Sequence, residues 1–209
     1  GNSAAPTYVP ITHGNYTTGS GSYPDVPSLK PLYVVSQVTL SDPSTSGGTY
    51  ARYYQYAGST MNLQGRGWEG FSQVSSQDTR TSLTDNRYFL TGFPYTGMQY
   101  EDLVSNGGTP VSKFLATQTK NPLASAPYPQ RWFPYFSNVT TQKWEFGGPE
   151  NGDPITTVST DYGYDGYGNA TNITRTVTDD DPGSPYSGDS WKMTTSNTPD
   201  ASTNPWCLN

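Results

Sequence analysis

Residues 161–177, DYGYDGYGNATNITRTV, have the pattern of a complete β-hairpin. The segment DGYGN at 165–169 consists of residues that tolerate a positive φ or hydrogen-bond to their own backbone, as turns require. On both sides of it, alternate positions suit one face of a strand: Val158, Thr160, Tyr162 and Tyr164 before the turn, and Thr171, Ile173, Arg175 and Val177 after it. This alternation predicts that residues 156–164 pair with residues 170–177.

The same hairpin carries a tyrosine–aspartate motif made of Tyr162, Tyr164, Asp165, Gly168 and Asn169. It resembles the repeat of the Rhs/YD-repeat family, which includes bacterial Rhs toxins and the B and C components of insecticidal toxin complexes. The sequence departs from the commoner repeat at Asn169 and Ala170, where that repeat has Arg and Leu. Only one full unit is present, which resembles the irregular beginning of a repeat region.

A second segment supports the resemblance. Tyr54 and Tyr56 precede residues 65–74, GRGWEGFSQV, in which Trp68, Gly70 and Phe71 resemble an aromatic-Gly-Phe strand near the start of the Rhs region. The short segments FPY at 133–135 and WCL at 206–208 also resemble pieces of these proteins. The resemblance extends from about Tyr33 to the C-terminus. It implies an all-β, antiparallel strand-and-turn ribbon that forms part of a hollow shell.

Composition agrees with many short strands. Of the 209 residues, 32% are hydrophobic and 13% are charged, and tyrosine, which prefers strands, occurs 17 times. The mean hydropathy of −0.71 is low for a self-contained globule. Such a composition suits sheets whose two faces are both half-polar.

Charge and cysteine content exclude several classes of function. The net charge of −6 and the absence of a basic run argue against binding to nucleic acid or to an anionic membrane surface. No apolar run has the length of a membrane span. Cys207 is the only cysteine, so an internal disulfide cannot form.

Periodicity and turn residues predict a chain of short strands, with no helix longer than two turns. Residues 1–31 are rich in Gly, Ser, Pro and Thr and are interpreted as an extended or disordered lead-in to the β region at 32–209. Residues 98–104 suit either a strand or one helical turn, and residues 131–136 and 139–146 suit a hairpin around Ser137 and Asn138. The other predicted strands lie at 32–40, 49–56, 68–78, 86–91, 111–119 and 190–196.

No catalytic set stands out, and the chain is interpreted as non-enzymatic, with no cofactor and no metal. His13 is the only histidine and lies in the lead-in, away from any nucleophile motif. Two carboxylate pairs, Glu69 with Glu101 and Glu145 with Asp153, have the residue types of a glycosidase, but strand carboxylates are more often solvated. Residues 179–183, DDDPG, have oxygen ligands suited to calcium but lack the spacing of an EF-hand, so a solvated acidic turn is favoured.

The resemblance implies a structural function. In the Rhs/YD-repeat family, the shell encloses a C-terminal toxic polypeptide, so the implied partners are the rest of the parent chain and that toxin, and the implied location is secreted or cell surface. The alternative is a carbohydrate-binding β-sandwich of a secreted or surface protein, with Trp68, Trp132, Trp144 and Trp191 as candidate stacking platforms. A divergent glycosidase fragment is a third hypothesis.

The ends of the chain predict open strand edges. Residues 1–4, GNSA, resemble a cloning remnant, and family members continue beyond the residues that match 206–209. We therefore expect a piece that is incomplete at its C-terminus. An unpaired edge exposes backbone N–H and C=O groups that can pair with another chain. The isolated chain is expected to self-associate through strand edges or to leave its termini disordered.

Overall fold

The computed structural model describes residues 3–28, 30–122, 131–166 and 168–198. Within these ranges the protein is all-β and contains no helix, which confirms the predicted fold class. The strands are β1 (Ala4–Pro10), β2 (Tyr16–Thr17), β3 (Asp25–Pro27), β4 (Tyr33–Asp42), β5 (Gly48–Asn62), β6 (Gly67–Asp78), β7 (Leu83–Phe89), β8 (Gln99–Asn106), β9 (Thr109–Pro122), β10 (Trp132–Trp144), β11 (Pro154–Tyr164), β12 (Ala170–Asp179) and β13 (Ser190–Ser196).

The strands form one sheet in which each strand from β4 onward neighbours the next along the chain. The pairing is antiparallel except between β2 and β5, which are parallel. The chain divides into two compact units, Gly1–Val111 and Ser112–Asn209. This meander of neighbouring strands joined by tight turns is the architecture that the sequence predicts.

In the first unit, β1 pairs along its whole length with β4, from Ala4 opposite Leu40 to Pro10 opposite Tyr33. The short strands β2 and β3 both pair with the long strand β5. The boundary between an extended or disordered lead-in at 1–31 and the β region at 32–209 stays a prediction; the described residues of the lead-in include the paired strands β1, β2 and β3. Backbone ladders do not require an apolar pattern, so Pro- and Thr-rich sequence can pair without showing the usual strand signal.

In the second unit, the predicted hairpin is confirmed. β11 and β12 pair in register, with Val158 opposite Val177 and Tyr162 opposite Ile173. β12 then pairs with β13, whose bounds are those predicted from the sequence. One residue of the predicted turn, Tyr167, lies outside the described residues.

The predicted hairpin around Ser137 and Asn138 is wrong. Residues 132–144 form the single strand β10, and Ser137 is an extra residue between the pairs Phe136–Gln118 and Asn138–Thr117. Polar residues that suit a turn also suit a β-bulge, in which one residue is left unpaired and the strand continues. β10 continues because it has a neighbour on each side, β9 and β11, to satisfy its backbone groups.

For residues 98–104 the sequence predicts either a strand or one helical turn, and the structure has the strand. They lie in and before β8, which pairs with β7 from Asn106 opposite Leu83 to Gln99 opposite Phe89. Apolar spacing over so short a run fits a helical turn and a strand equally well, and the adjacent strand decides between them. The described residues contain no helix that is long and apolar enough to cross a membrane.

Very few apolar side chains are buried. Among the described residues, the buried apolar side chains are Ile11 and Val34, at 2% and 6% exposure, both in the first unit. Most strand residues are half-exposed, and no described residue of the second unit is fully buried. The sheet therefore depends on backbone ladders and on cross-strand side-chain pairs.

Candidate functional sites

A β-bulge in the first unit positions Glu69. Thr60 of β5 pairs with Gly70 of β6, and Met61 pairs with Trp68, so Glu69 has no partner residue on β5. Gly70, with a φ of +98°, adopts a backbone conformation that residues with a Cβ rarely adopt. Bulges of this kind redirect a side chain. Here the Glu69 side chain is directed into the protein, and the residue is 5% exposed.

The residues beside the bulge belong to an aromatic cluster centred on Phe71. The Phe71 ring lies 4.9 Å from Tyr56, 5.6 Å from Trp68 and 6.2 Å from Tyr16, measured between ring centroids. The Trp68 contact is edge-to-face, at 85°. The motif residues Trp68, Gly70 and Phe71 therefore come together with two tyrosines, and Tyr16 belongs to the segment that the sequence assigned to the lead-in.

Hydrogen bonds fix the rings of this cluster. The Trp68 indole N–H donates to the Ser59 hydroxyl at 2.9 Å, and the backbone amide of Ser59 donates to the Tyr16 hydroxyl at 3.1 Å. The Tyr56 hydroxyl donates to the Val35 carbonyl at 3.0 Å. The polar groups of Tyr16, Tyr56 and Trp68 each have a partner, which allows these aromatic residues to pack without an unsatisfied group.

The tyrosine–aspartate motif of the second unit forms the turn between β11 and β12. The Asp165 carboxylate accepts hydrogen bonds from the backbone amide and the side-chain amide of Asn169, both at 2.9 Å. The backbone amides of Asp165 and Gly168 donate to the carbonyls of Asn169 and Asp165, respectively. The turn residues thus satisfy one another's polar groups, and Asp165 acts as a structural residue of the turn.

The tyrosines of that motif belong to a second aromatic cluster. Tyr164 contacts Phe133 at 5.7 Å and Tyr135 at 4.7 Å, and Tyr162 lies 6.4 Å from Tyr164. A Cβ on Gly168 would lie 3.3 Å from the Phe133 ring, so the glycine allows the turn to approach the cluster closely. The motif residues 162, 164, 165, 168 and 169 and the FPY segment at 133–135 therefore form one structural unit.

The carboxylates considered as glycosidase pairs lie in different settings. Burial raises the pKa of Glu69, and the neighbouring carboxyl group of Asp25 raises it further. Glu145 and Asp153 close the turn after β10, where the Glu145 amide donates to the Asp153 carbonyl at 2.8 Å. His13 is exposed in the turn after β1. The Asp25–Glu69 neighbourhood was not predicted; the glycines at 67 and 70, which flank Glu69 in a strand pattern, are the signal that indicates a bulge there.

The acidic turn at 179–183 uses its carboxylates internally. The Asp179 carboxylate accepts from the Asp181 amide at 3.0 Å and from the Ser184 hydroxyl at 2.6 Å, and Asp181 accepts from the Gly183 amide at 2.7 Å. The Asp180 carboxylate accepts from the Thr157 hydroxyl at 2.6 Å. No group of three or more possible metal ligands among His, Cys, Asp and Glu occurs in the described ranges.

The four candidate stacking tryptophans differ in exposure. Trp68 and Trp191 are 43% and 53% exposed. Trp132 and Trp144 are half-buried, and the Lys120 ammonium lies 4.3 Å from the centre of the Trp132 ring. Trp191 makes an edge-to-face contact with Tyr186, at 6.5 Å between centroids. Trp206 and Cys207 lie outside the described residues.

The fold and these clusters define an all-β protein of paired strands joined through aromatic contacts. Residues 2–99, slightly less than half of the chain, match the family model described as the insecticide toxin TcdB middle/N-terminal region. This match supports the toxin-complex part of the resemblance and includes residues 2–31, which that resemblance did not cover. The tyrosine–aspartate hairpin lies outside the match, so its assignment to the Rhs/YD repeat stays a prediction. A comparison with curated protein sequences gave no match.

A chain of one solved structure has a similar fold, and two further structures were also matched. A chain of the TcdB2-TccC3 crystal structure has a TM-score of 0.57 and 11% sequence identity, and the similarity covers 94% of this chain and 15% of that chain. For the TcdB2-TccC3-Cdc42 structure the TM-score is 0.49, with 10% identity over 71% of this chain and 12% of that one. The TcdB2-TccC3-TEV structure has a TM-score of 0.48, with 10% identity and coverage of 79% and 13%. This chain therefore spans about one-seventh of the length of its best-scoring neighbour in this group.

Proposed function

We propose that this chain is a structural, non-enzymatic wall segment of a toxin-complex β-shell of the Rhs/YD type. The observation that carries the proposal is that the described residues form long paired strands with almost no fully buried apolar side chains. A sheet that carries half-exposed residues on both faces is suited to separate two aqueous spaces. The family match over residues 2–99 and the fold similarity to a TcdB2-TccC3 chain are consistent with this function.

The energetics favour a segment that belongs to a larger assembly. Burial of apolar side chains is the main favourable contribution to folding, and among the described residues only Ile11 and Val34 are fully buried apolar side chains. In repeat architectures, each unit is stabilised by its neighbours rather than by a core of its own. In this chain, each unit has one aromatic cluster, whose rings make contacts of this kind between strands.

In this proposal, the partners are the remainder of the parent chain and a C-terminal toxic polypeptide enclosed by the shell. The tyrosine–aspartate hairpin is the first regular unit of the repeat region. The proposed role requires no chemistry, and the motif residues in the described part of the chain form a turn and aromatic contacts. The complete protein is secreted or displayed at the cell surface.

The test uses the complete gene. Its sequence after this segment is expected to encode further strand-and-turn repeats, followed by a distinct C-terminal region. The encoded full-length protein is then treated with protease, and cleavage of its C-terminal region is compared with cleavage of that region produced alone. We expect protection in the full-length protein. Equal cleavage rates, or a gene without further repeats, would contradict the proposal.

The exposed Trp191 and Tyr186 favour carbohydrate binding as a second candidate function. Their edge-to-face pair presents aromatic surface to solvent, which is suited to stacking against a sugar ring. Binding to a glycan array that is lost in Trp191→Ala and retained in Phe146→Ala, another half-exposed aromatic residue, would favour this function. The shell-wall proposal expects no binding by either variant or by the unmodified chain.

A further inference from the structure

The carboxyl groups of Asp25 and Glu69 meet inside the first unit. Asp25 lies opposite Asn62 in the pairing of β3 with β5, and the Asn62 side-chain amide donates to Asp25 Oδ1 at 2.6 Å. Glu69 lies in the bulge of β6, and its carboxyl group interacts with that of Asp25. The loop between β7 and β8 is also close, since a Cβ on Gly92 would lie 3.8 Å from Asp25 Oδ2. Three separate elements therefore surround this carboxyl pair.

The Asp25 carboxyl group and the Thr96 hydroxyl both lie beside the Glu69 carboxyl group. Glu69 is 5% exposed, and neither of its carboxyl oxygens is within hydrogen-bonding geometry of a donor in the described part of the chain. Removing a carboxylate from water without a hydrogen bond or counter-ion is costly. Burial raises the pKa of Glu69 most strongly, and the adjacent Asp25 carboxylate raises it further; Arg66 and the Thr96 hydroxyl lower it by less. A cation bound between the two carboxylates, in addition to Arg66, would offset the cost of burying the Glu69 charge.

The Arg66 guanidinium is engaged elsewhere. Its central carbon lies 3.3 Å from the centre of the Phe93 ring, in a cation–π contact, and Arg66 makes no ion pair with either carboxylate among the described residues. The arginine thus reduces the negative potential without supplying donors to Glu69. The pair retains two carboxylate groups for a ligand.

We propose that Asp25 and Glu69 form the carboxylate core of a divalent cation site, with the Thr96 hydroxyl as a third oxygen ligand. Carboxylate and hydroxyl oxygens are hard ligands, which favours Ca²⁺ or Mg²⁺ over softer metals. Ca²⁺ is the better match because it accepts irregular oxygen sets, whereas Mg²⁺ requires near-octahedral geometry. Asp25 is half-exposed, so water can complete the coordination on its side.

Such a site adds a function beyond that of a shell wall and does not depend on it. The cation would join β3 and the β7–β8 loop to the bulge in β6. Binding would therefore stabilise the attachment of the N-terminal segment to the sheet. A proton shared between the two carboxyl groups is the competing explanation, and it predicts no stabilisation by calcium but stabilisation on acidification.

The first experiment measures binding directly. Metal-free protein at pH 7 is titrated with Tb³⁺, a luminescent substitute for Ca²⁺, while tryptophan is excited. Trp68 is adjacent to Glu69 in sequence, so bound Tb³⁺ is expected to be sensitised and then displaced by Ca²⁺. Glu69→Gln and Asp25→Asn should each lower the affinity at least about 10-fold, because each removes a charged ligand. The matched control, Asp181→Asn in the acidic turn, should bind as the unmodified protein does.

The second experiment measures stability, so that the result does not depend on luminescence. We expect saturating Ca²⁺ to raise the thermal midpoint of the unmodified chain by several degrees, and to leave Glu69→Gln unchanged, since a ligand stabilises the state that binds it. A thermal midpoint that does not change with Ca²⁺ but rises on acidification from pH 7 to pH 5 would overturn the proposal in favour of a shared proton. Binding that persists in both Glu69→Gln and Asp25→Asn would overturn it in favour of another site.

Discussion

The Asp165 carboxylate accepts two hydrogen bonds from Asn169, one from its backbone amide and one from its side-chain amide, each at 2.9 Å. The backbone amide of Asp165 donates in return to the Asn169 carbonyl at 3.0 Å. Asn169 stands where the resembled repeat commonly has Arg, and here it closes the turn. The departure from the repeat is therefore compatible with an ordered hairpin.

Replacement of Asp165 by alanine is expected to destabilise the second unit by about 1–2 kcal/mol, because two amide donors lose a charged acceptor. Chemical unfolding monitored by tyrosine fluorescence measures the change. Glu150→Ala, which removes an exposed carboxylate from the turn after β10, is the control and should change the free energy of unfolding by less than about 0.5 kcal/mol. Equal effects of the two variants would show that the Asp165–Asn169 contact has no special role.

Two glycines of the same turn provide a matched pair. Gly168 has a φ of +91°, and a Cβ on it would lie 3.3 Å from the Phe133 ring, whereas a Cβ on Gly166 would meet nothing within 4 Å. Gly168→Ala should therefore cost about 1–2 kcal/mol through backbone strain and crowding. Gly166→Ala should be neutral or slightly stabilising. Hydrogen exchange of the β11 and β12 amides distinguishes the two outcomes, and similar exchange in both variants would argue against the strained turn.

Phe71 is expected to be the most sensitive aromatic residue of the first unit. Its ring contacts those of Tyr16, Tyr56 and Trp68, so Phe71→Ala removes three ring contacts at once. Because Phe71 is half-buried, we expect a loss of about 2–3 kcal/mol, at or below the range for fully buried Phe. Phe146→Ala, at a residue that is 50% exposed, should cost far less. Thermal unfolding of both variants provides the measurement, and a smaller loss for Phe71→Ala would refute the central role of this ring.

Asp78 should make the stability of the first unit depend on pH. Burial raises the pKa of Asp78, but hydrogen bonds from the Arg80 and Thr81 amides and the Arg52 guanidinium lower it by more, so the net shift is downward. A lowered carboxyl pKa contributes stability above the unfolded-state value of about 4, and this contribution is lost as pH falls through the folded-state pKa. Asp78→Asn should therefore be less stable than the unmodified chain at pH 7, and the difference should shrink towards pH 3.

Urea unfolding at pH 7, 5 and 3 checks the direction of this pH dependence. Asp42→Asn serves as a control in a solvent-exposed turn, where the Ser44 hydroxyl and amide also lower the pKa of the carboxyl group. Its effect should be smaller at every pH, since water screens an exposed carboxylate. If the difference in unfolding free energy between Asp78→Asn and the unmodified chain grows on acidification, the lowered pKa assigned to Asp78 is contradicted.

Strand β13 provides the test of edge association. All seven of its residues are exposed, and β12 is the only described strand that pairs with it. We expect the isolated chain to form oligomers, and Met193→Lys, which places a charge on the edge, to reduce them. Light scattering after size exclusion measures the mass. Leu63→Lys, at an exposed turn residue, is the control, and a monomeric unmodified chain would contradict association through this edge.

Local sequence was sufficient where a turn and its two strands are contiguous. The DGYGN turn and the period-two pattern on either side determined the register of β11 with β12, because a one-residue slip would move every side chain to the opposite face. The bounds of β13 were equally evident from its flanking Gly- and Pro-rich loop. Trp68 and Phe71 were recognised as motif residues, but their ring partner Tyr16 was assigned to a lead-in.

Tertiary structure decided the features that depend on a neighbour distant in sequence. β10 is one bulged strand because β9 and β11 pair on its two sides, although Ser137 and Asn138 have the residue types of a turn. Strands β1, β2 and β3 join the sheet because β4 and β5 offer free backbone groups, which leave no mark on the side-chain pattern. Asp25 meets Glu69 only because a bulge directs one side chain towards β3. Hydrogen bonding between distant backbones is independent of side-chain identity, so this sequence encodes its hairpins locally and its longer-range pairings only through the assembled sheet.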